Sequence, residues 1–194
     1  MATLILNPNA PGDVTTIPDL TPGAGEANWE DVDDWPAPDE GTTTVSDTCA
    51  PVNSFSSYDL YAIPNHTIET GVINWVKVHA RCQVFFGAAP GDAYTYTKIK
   101  TIGVEYNGAQ NRDLAWATRN TQYNNHPAGG AWTWAQIDAL QPGVGLNGHG
   151  DDDKLGASAT CTQVYIEVDY TPGAAAVGAA SGNIGHKMIG EGLI

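Results

Sequence analysis

The segment that most limits the fold is GVINWVKVHARCQVFF, residues 71 to 86, in which apolar and polar side chains alternate. Successive side chains of a β-strand point to opposite faces, so a period of two predicts a strand with one buried face. ATCTQVYIEVDYTP, residues 159 to 172, has the same pattern. The side chains predicted to face inward are Val72, Val76, Val78, Ala80, Cys82 and Val84 in the first segment, and Val164, Ile166 and Val168 in the second. Both segments therefore predict long, half-buried strands.

Shorter apolar segments occur along the rest of the chain, and Gly, Asn and Pro separate them. The sequence holds 22 glycines and 12 prolines, which favours many turns. The segments predicted as further strands are TLIL, DLYAI, KIKTIGVEY, RDLAWATR and GVGL. Short strands spaced in this way predict an all-β fold, an antiparallel β-sandwich.

One stretch, AWTWAQIDALQPGV, predicts a short helix at about residues 133–140. Thr133 and Gln136 have the spacing of a capping box, in which each side chain binds a backbone N–H of the first turn. Trp132 before the cap and Ile137 at the fourth helical position have the spacing of a hydrophobic staple. A Pro-Gly pair then favours the end of the helix. Because all these signals concern local packing, we expect the helix to cover an end of the sandwich as a structural element.

The composition changes after residue 172. GAAAVGAASG has the composition of a flexible linker, and NIGHKMIGEGLI follows it. The large apolar side chains of this last segment are Ile184, Met188, Ile189, Leu193 and Ile194. Five such groups predict a docking peptide that binds a partner, with a frayed end as the alternative. The predicted organisation is thus a sandwich domain at 1–172 and a linker with a docking tail at 173–194.

The formal net charge of −14 limits the class of partner. Residues 1 to 50 contain acidic side chains but no Lys or Arg. Nucleic acids and anionic membranes need a basic surface, so neither is an expected partner. Three cysteines without CxxC spacing predict reduced thiols, with one disulfide and one free thiol as the alternative. The first residues do not resemble a signal peptide, so synthesis in a cytoplasm is expected.

Catalytic and metal-binding motifs are not found in the sequence, and no cofactor is expected. The histidines lack the spacing of zinc sites. GHGDDDKLG offers a weak calcium candidate at Asp151, Asp152 and Asp153, but the alternating acids and following Glu of a calcium loop are missing. A solvated hairpin turn explains this cluster equally well. A glycoside-cleaving enzyme is a third alternative, because it needs a pair of carboxylates and acidic residues are plentiful in this chain.

The aromatic residues suggest a binding function. Six Trp and eight Tyr are present, and aromatic rings exposed on a sandwich face stack well on sugars. Trp75 lies on the predicted outward face of its strand, and Trp29 and Trp35 lie in the acidic N-terminal stretch. These three rings are candidates for sugar stacking, with burial in the core as the alternative.

Several segments in a fixed order resemble one family. They include LILNPNAPGDVTTIPDLTPGAGEANWEDVDD, TTTVSDT, SSYDLYAI, GVINWVKVHARC, AWTWAQIDALQPGVGL and CTQVYIEVDYTP. They resemble a β-sandwich family of tailed-phage and environmental viral proteins, and the resemblance extends over residues 3 to 172. The resemblance implies a jelly-roll-like, concanavalin-like sandwich and a place on a virion, and it carries no catalytic residues.

The function expected from these features is that of a non-catalytic structural protein of a bacteriophage virion. It would be a capsid decoration, cement or fibre-base subunit that is made in the host cytoplasm. Its partners would be further copies of the chain or other virion proteins such as the major capsid protein, bound through the sandwich faces and the C-terminal tail. The alternative is a carbohydrate-binding or adhesion module that recognises surface glycans.

Overall fold

A computed structural model describes residues 1–18, 27–40, 42–87, 91–151 and 155–173. The fold is all-β, and two five-stranded antiparallel sheets pack face to face as a sandwich. The strands are β1 (Ala2–Leu6), β2 (Ala10–Thr15), β3 (Val45–Cys49), β4 (Ser54–Ala62), β5 (Gly71–Phe85), β6 (Asp92–Thr101), β7 (Val104–Asn107), β8 (Ala117–Tyr123), β9 (Gln141–His149) and β10 (Ala157–Pro172). The predicted sandwich is therefore confirmed.

The strands are ordered as in a jelly roll. Sheet A has the order β1-β10-β5-β8, and β3 also pairs with β10, whereas sheet B has the order β2-β4-β9-β6-β7. The eight strands from β3 to β10 thus divide into two four-stranded sheets, β3-β10-β5-β8 and β4-β9-β6-β7. This is the double-sheet arrangement of a jelly roll. Strand β2 extends sheet B beyond β4, and β1 lies beside β10 on the same side as β3.

Three separate segments complete the edge of sheet A beside β10. Strand β3 pairs with residues 157–161 of β10, and β1 pairs with residues 166–170. Between them, Asp33 forms an isolated bridge with Gln163, and the N–H of Val164 donates to the carbonyl of Val32 at 2.8 Å. The backbone of β10 is therefore paired along most of its length on both sides.

A β-bulge in β5 changes which side chains face inward at the start of the strand, so the prediction for Val72 is wrong. Trp75 pairs with Asp169 and Ile73 with Tyr170, so Asn74 is an extra residue in the ladder. An extra residue reverses the alternation of the side chains that precede it. Ile73 is therefore buried at 5% exposure, whereas Val72, predicted to face inward, is 65% exposed.

Three further predicted strands differ in extent. KIKTIGVEY spans the end of β6 and all but the last residue of β7, because Ile102 and Gly103 both have positive φ and form the turn of a hairpin. RDLAWATR overlaps only the start of β8, which begins at Ala117. GVGL lies inside the longer β9, which begins at Gln141 and so includes the Pro-Gly pair.

The helix α1 spans Trp134–Asp138 and is shorter than the predicted range. Thr133 is its N-cap, and the capping box with Gln136 is present in both directions, at 3.3 and 2.8 Å. Trp132 and Ile137 are buried in one apolar cluster with core residues of both sheets. The helix thus covers this end of the sandwich. Within the described parts of the chain, no helix has the length and hydropathy needed to cross a membrane.

The core between the sheets consists of two apolar clusters, which side chains of both sheets form together. Cys82 and Cys161 lie directly opposite each other on β5 and β10, and both are buried free thiols. Cys49 is also a free thiol and lies at the edge of the core. Removal from water raises the pKa of Cys82 well above its ordinary value. A raised pKa keeps this thiol protonated and poorly nucleophilic.

A buried carboxylate fixes the N-terminal arm against β4. Asp59 is fully buried, and one of its oxygens accepts the backbone N–H groups of Thr16 at 2.7 Å and Ile17 at 2.9 Å. The other oxygen accepts the side-chain amide of Asn28 at 2.6 Å. Burial raises the pKa of Asp59, and these hydrogen bonds oppose the rise. The carboxylate thus joins three parts of the chain at one point.

Candidate ligand-binding face of sheet B

The outer face of sheet B contains two adjoining hollows, which we call the first and the second hollow. The first has a volume of about 230 Å³ and the second about 160 Å³. Tyr94 and Asn147 line both, so the two hollows are continuous. The remaining lining residues are Ser54, Phe55, Asp92, Gly148 and His149 in the first hollow, and Tyr96, Asn107, Gly108 and Gln110 in the second.

Alternation along β6 places the two tyrosines on this face. Ala93, Thr95 and Thr97 are buried, so Tyr94 and Tyr96 between them point outward. Two tyrosines at this spacing form a row along the strand. Their ring centroids are 6.4 Å apart, and the ring planes are inclined by 34°.

A glycine in the neighbouring strand allows Tyr96 to lie close to the sheet. Gly145 of β9 is the cross-strand partner of Tyr96 on one side and of Tyr58 on the other. A Cβ at Gly145 would collide with the far half of the Tyr96 ring. The ring therefore covers the backbone of β9, next to the side chain of Asn147. Removal from water raises the pKa of Tyr96, so its hydroxyl stays neutral.

An ion pair borders the first hollow. Arg112 donates to both carboxylate oxygens of Asp92, at 2.8 and 2.9 Å, and its guanidinium lies 5.2 Å from the ring centroid of Tyr94. These hydrogen bonds lower the pKa of Asp92. Asp92 is thus ionised at neutral pH, and Arg112 is held at the side of the Tyr94 ring.

A second ion pair borders the other end of the face. Nζ of Lys98 lies 2.9 Å from the carboxylate of Glu105 and donates to Oδ1 of Asn107 at 2.9 Å. The same ammonium lies 4.1 Å from the ring centroid of Tyr58. Lys98 is therefore almost enclosed, with a cation–π contact on one side and a carboxylate on the other.

The acidic cluster predicted as a weak calcium candidate has a different setting. Asp151 accepts the backbone N–H of Leu155 at 2.8 Å, whereas Asp152 and Asp153 lie outside the described residues. The connection leads from β9 in sheet B to β10 in sheet A, so the alternative of a hairpin turn is wrong. In the part of the chain that the structure describes, no three His, Cys, Asp or Glu side chains are grouped as a metal site needs.

The other predicted binding residues do not lie on this face. Trp29 packs against the core, and Trp35 and Trp75 belong to the opposite side of the molecule. Trp35 is 42% exposed and contacts Tyr165, and the ring of Trp75 lies 4.3 Å from Nζ of Lys77. The tail residues Ile184, Met188, Ile189, Leu193 and Ile194 lie outside the described residues.

The tyrosines of the face were missed at the level of sequence, although two signals point to them. YTYT at residues 94–97 alternates aromatic and small polar side chains, and GVG at 143–145 places glycines two residues apart. The first predicts a row of rings on one face of a strand, and the second predicts a flat strand surface on which a ring can lie.

Comparisons with known proteins add no relative to this description: no family model and no curated protein matches the chain.

Proposed function

We propose that the protein is a non-catalytic carbohydrate-binding module and that the outer face of sheet B is its binding site. The observation that carries this proposal is the pair of adjoining hollows between Tyr94, Tyr96 and Asn147. Aromatic rings and a few amide groups around an open hollow fit a ligand that is apolar on one side and polar at its rim.

A sugar ring has this combination of surfaces. Its axial C–H groups form an apolar face, which packs against a tyrosine ring, and its hydroxyls surround that face as donors and acceptors. Asn147, Asn107 and Gln110 carry side-chain amides, which can both donate to and accept from hydroxyls. Tyr96 supports this arrangement because its ring is already held over Gly145, so little conformational entropy is lost on binding.

The protonation state of Asp92 supports binding rather than hydrolysis. A glycoside-cleaving enzyme needs a carboxylic acid whose pKa is raised so that it can donate a proton to the leaving oxygen. The hydrogen bonds from Arg112 lower the pKa of Asp92 instead, and no second carboxylate is found among the described residues that line the two hollows. We therefore expect that bound sugars are released unchanged.

The test is a glycan array with the full-length protein, followed by calorimetry on the glycans that bind. Tyr96→Ala, which removes the ring, is expected to weaken binding at least tenfold, or by about 1.4 kcal/mol. Gly145→Ala keeps the ring but displaces it, so it should also weaken binding. Trp35→Ala, which removes an exposed ring of sheet A, is the matched control and should bind like the parent. An array without any hit would refute the proposal.

The virion structural role is a second candidate, and a surface on sheet A favours it. A hollow of about 190 Å³ there is lined by Phe85 and Leu114, which are 57% and 67% exposed. Exposed apolar side chains around a hollow are common at protein contacts. We propose a second copy of the chain, or another virion protein such as the major capsid protein, as the partner.

Light scattering tests the self-assembly form of this candidate. The full-length chain is compared with a chain ending at Pro172 and with the full-length variant Leu114→Glu. A defined oligomer that loses mass in either variant would support assembly through the tail or through the hollow. Three identical monomers would exclude self-assembly through both.

A further inference from the structure

We infer that the ligand of sheet B is a neutral glycan of at least two sugar units that lies across both hollows. This inference rests on the proposed carbohydrate-binding function and adds to it the length and the charge of the ligand. Two observations carry it: the continuity of the hollows along β6, and the pairing with a carboxylate of each described Lys or Arg side chain that borders them.

The length follows from the geometry of the face. Asp92 in the first hollow and Tyr96 in the second are four residues apart on one strand, which corresponds to about 13 Å. This distance exceeds the length of one pyranose ring. Tyr94 lies between them and lines both hollows, so one sugar unit can occupy each hollow. Asn147 likewise faces both units and can bind a hydroxyl of each.

The charge follows from the ion pairs. Among the described residues, the Lys and Arg side chains on this side of sheet B are Arg112, Lys98 and Lys100, and each already binds a carboxylate, those of Asp92, Glu105 and Asp13 respectively. An anionic ligand would have to displace a carboxylate in order to reach any of these three cations. It would also approach a chain of net charge −14, which repels it at long range.

The ion pair next to the first hollow should therefore act as a selectivity element. Asp92 neutralises Arg112, and the bidentate geometry leaves this guanidinium little capacity for another acidic group. A built-in carboxylate that occupies the cation excludes acidic ligands without weakening neutral ones. Removing the charge of Asp92 should make Arg112 available to an acidic sugar.

The experiment is calorimetry on the full-length protein with two series of ligands. One series contains neutral gluco- and galacto-oligosaccharides of one to four units, and the other contains galacturonic-acid oligomers of the same lengths. We expect the affinity to rise at least tenfold from one to two neutral units. We expect acidic oligomers to bind at least tenfold more weakly than neutral ones of equal length, with the difference shrinking at high salt.

Asp92→Asn provides the sharpest variant. It should raise the ratio of acidic to neutral affinity at least tenfold, because it frees Arg112 beside the hollow. Asp113→Asn is the matched control: it removes one carboxylate and frees Arg119, but at the edge of sheet A. This control changes the net charge by the same amount and should leave the ratio unchanged.

The outcomes separate this inference from the function on which it rests. If neutral single sugars bind as tightly as dimers, or if acidic oligomers bind better than neutral ones, the inference is wrong while carbohydrate binding stands. An equal rise of the ratio in both Asp variants would also contradict it, because the effect would then come from net charge alone. If no oligosaccharide in either series binds and the array is empty, the proposed function itself fails.

Discussion

Replacing the buried carboxylate of Asp59 tests how the N-terminal arm is held. Asp59→Ala removes the acceptor of the Thr16 and Ile17 backbone N–H groups and of the Asn28 amide. Thr16 is exposed and can bind water instead, and Asn28 keeps its bond to the Ile17 carbonyl at 3.0 Å. The N–H of Ile17 is the group that stays buried without a partner.

The magnitude follows from these three donors. One unsatisfied buried group costs about 1–3 kcal/mol, and each hydrogen bond to a charged acceptor contributes about 1.5–3 kcal/mol. Part of this loss is offset because the variant no longer buries a carboxylate away from water. We therefore expect Asp59→Ala to lower the free energy of unfolding by about 2–4 kcal/mol. Asp59→Asn keeps an acceptor for Thr16 and Ile17 but turns an NH₂ group toward the Asn28 amide, so its loss should be smaller.

Urea unfolding at pH 7, followed by tryptophan fluorescence and far-UV circular dichroism, measures these differences. The control is Ser56→Ala, an exposed position on the same strand, which should stay within about 0.5 kcal/mol of the parent. The slope of free energy against urea should not change, because the fold is retained. A loss below about 1 kcal/mol for Asp59→Ala would show that the carboxylate does not hold the arm.

Two further substitutions probe buried polar groups. The hydroxyl of Tyr123 is buried without a partner among the described residues, and burial raises its pKa to about 12. Tyr123→Phe should therefore raise the free energy of unfolding by up to about 1 kcal/mol, and a lower urea midpoint would contradict this reasoning. Burial also lowers the pKa of His126, whose Nδ1 accepts the Ala128 N–H at 3.2 Å. The unfolded chain then takes up a proton that the fold excludes, so stability should fall as pH drops below about 6.5. His126→Gln should reduce the difference in stability between pH 7.5 and pH 5.5, and an unchanged difference would contradict the assignment.

The two central strands of sheet A could be predicted because burial of one face imposes a period of two on the side chains. That period is visible in β5 and β10 without knowledge of their partners. The inward position of Ile73 could not be predicted, since the bulge at Asn74 depends on how β5 pairs with β10. The capping box of Thr133 and Gln136 was visible in full, because both partners lie within one turn of the helix.

The candidate site was harder to predict because its residues come from distant parts of the chain. Tyr96 and Gly145 meet only through the pairing of β6 with β9, and Arg112 reaches Asp92 from a separate loop. The sequence pattern points to Trp29, Trp35 and Trp75 instead. Yet the exposure of an aromatic ring depends on what packs over it, and Trp29 is covered by the core.

The three-part edge beside β10 has a consequence for synthesis on the ribosome. All strands of sheet B have been translated once His149 is made, whereas β1, β3 and β5 must wait for residues 157–172 before their shared partner exists. At about 5–20 residues per second, the earliest of these strands stays unpaired for many seconds after its translation. The nascent chain is therefore expected to expose the apolar faces of β1 and β5 to chaperones during this interval, until the last strand closes the sandwich.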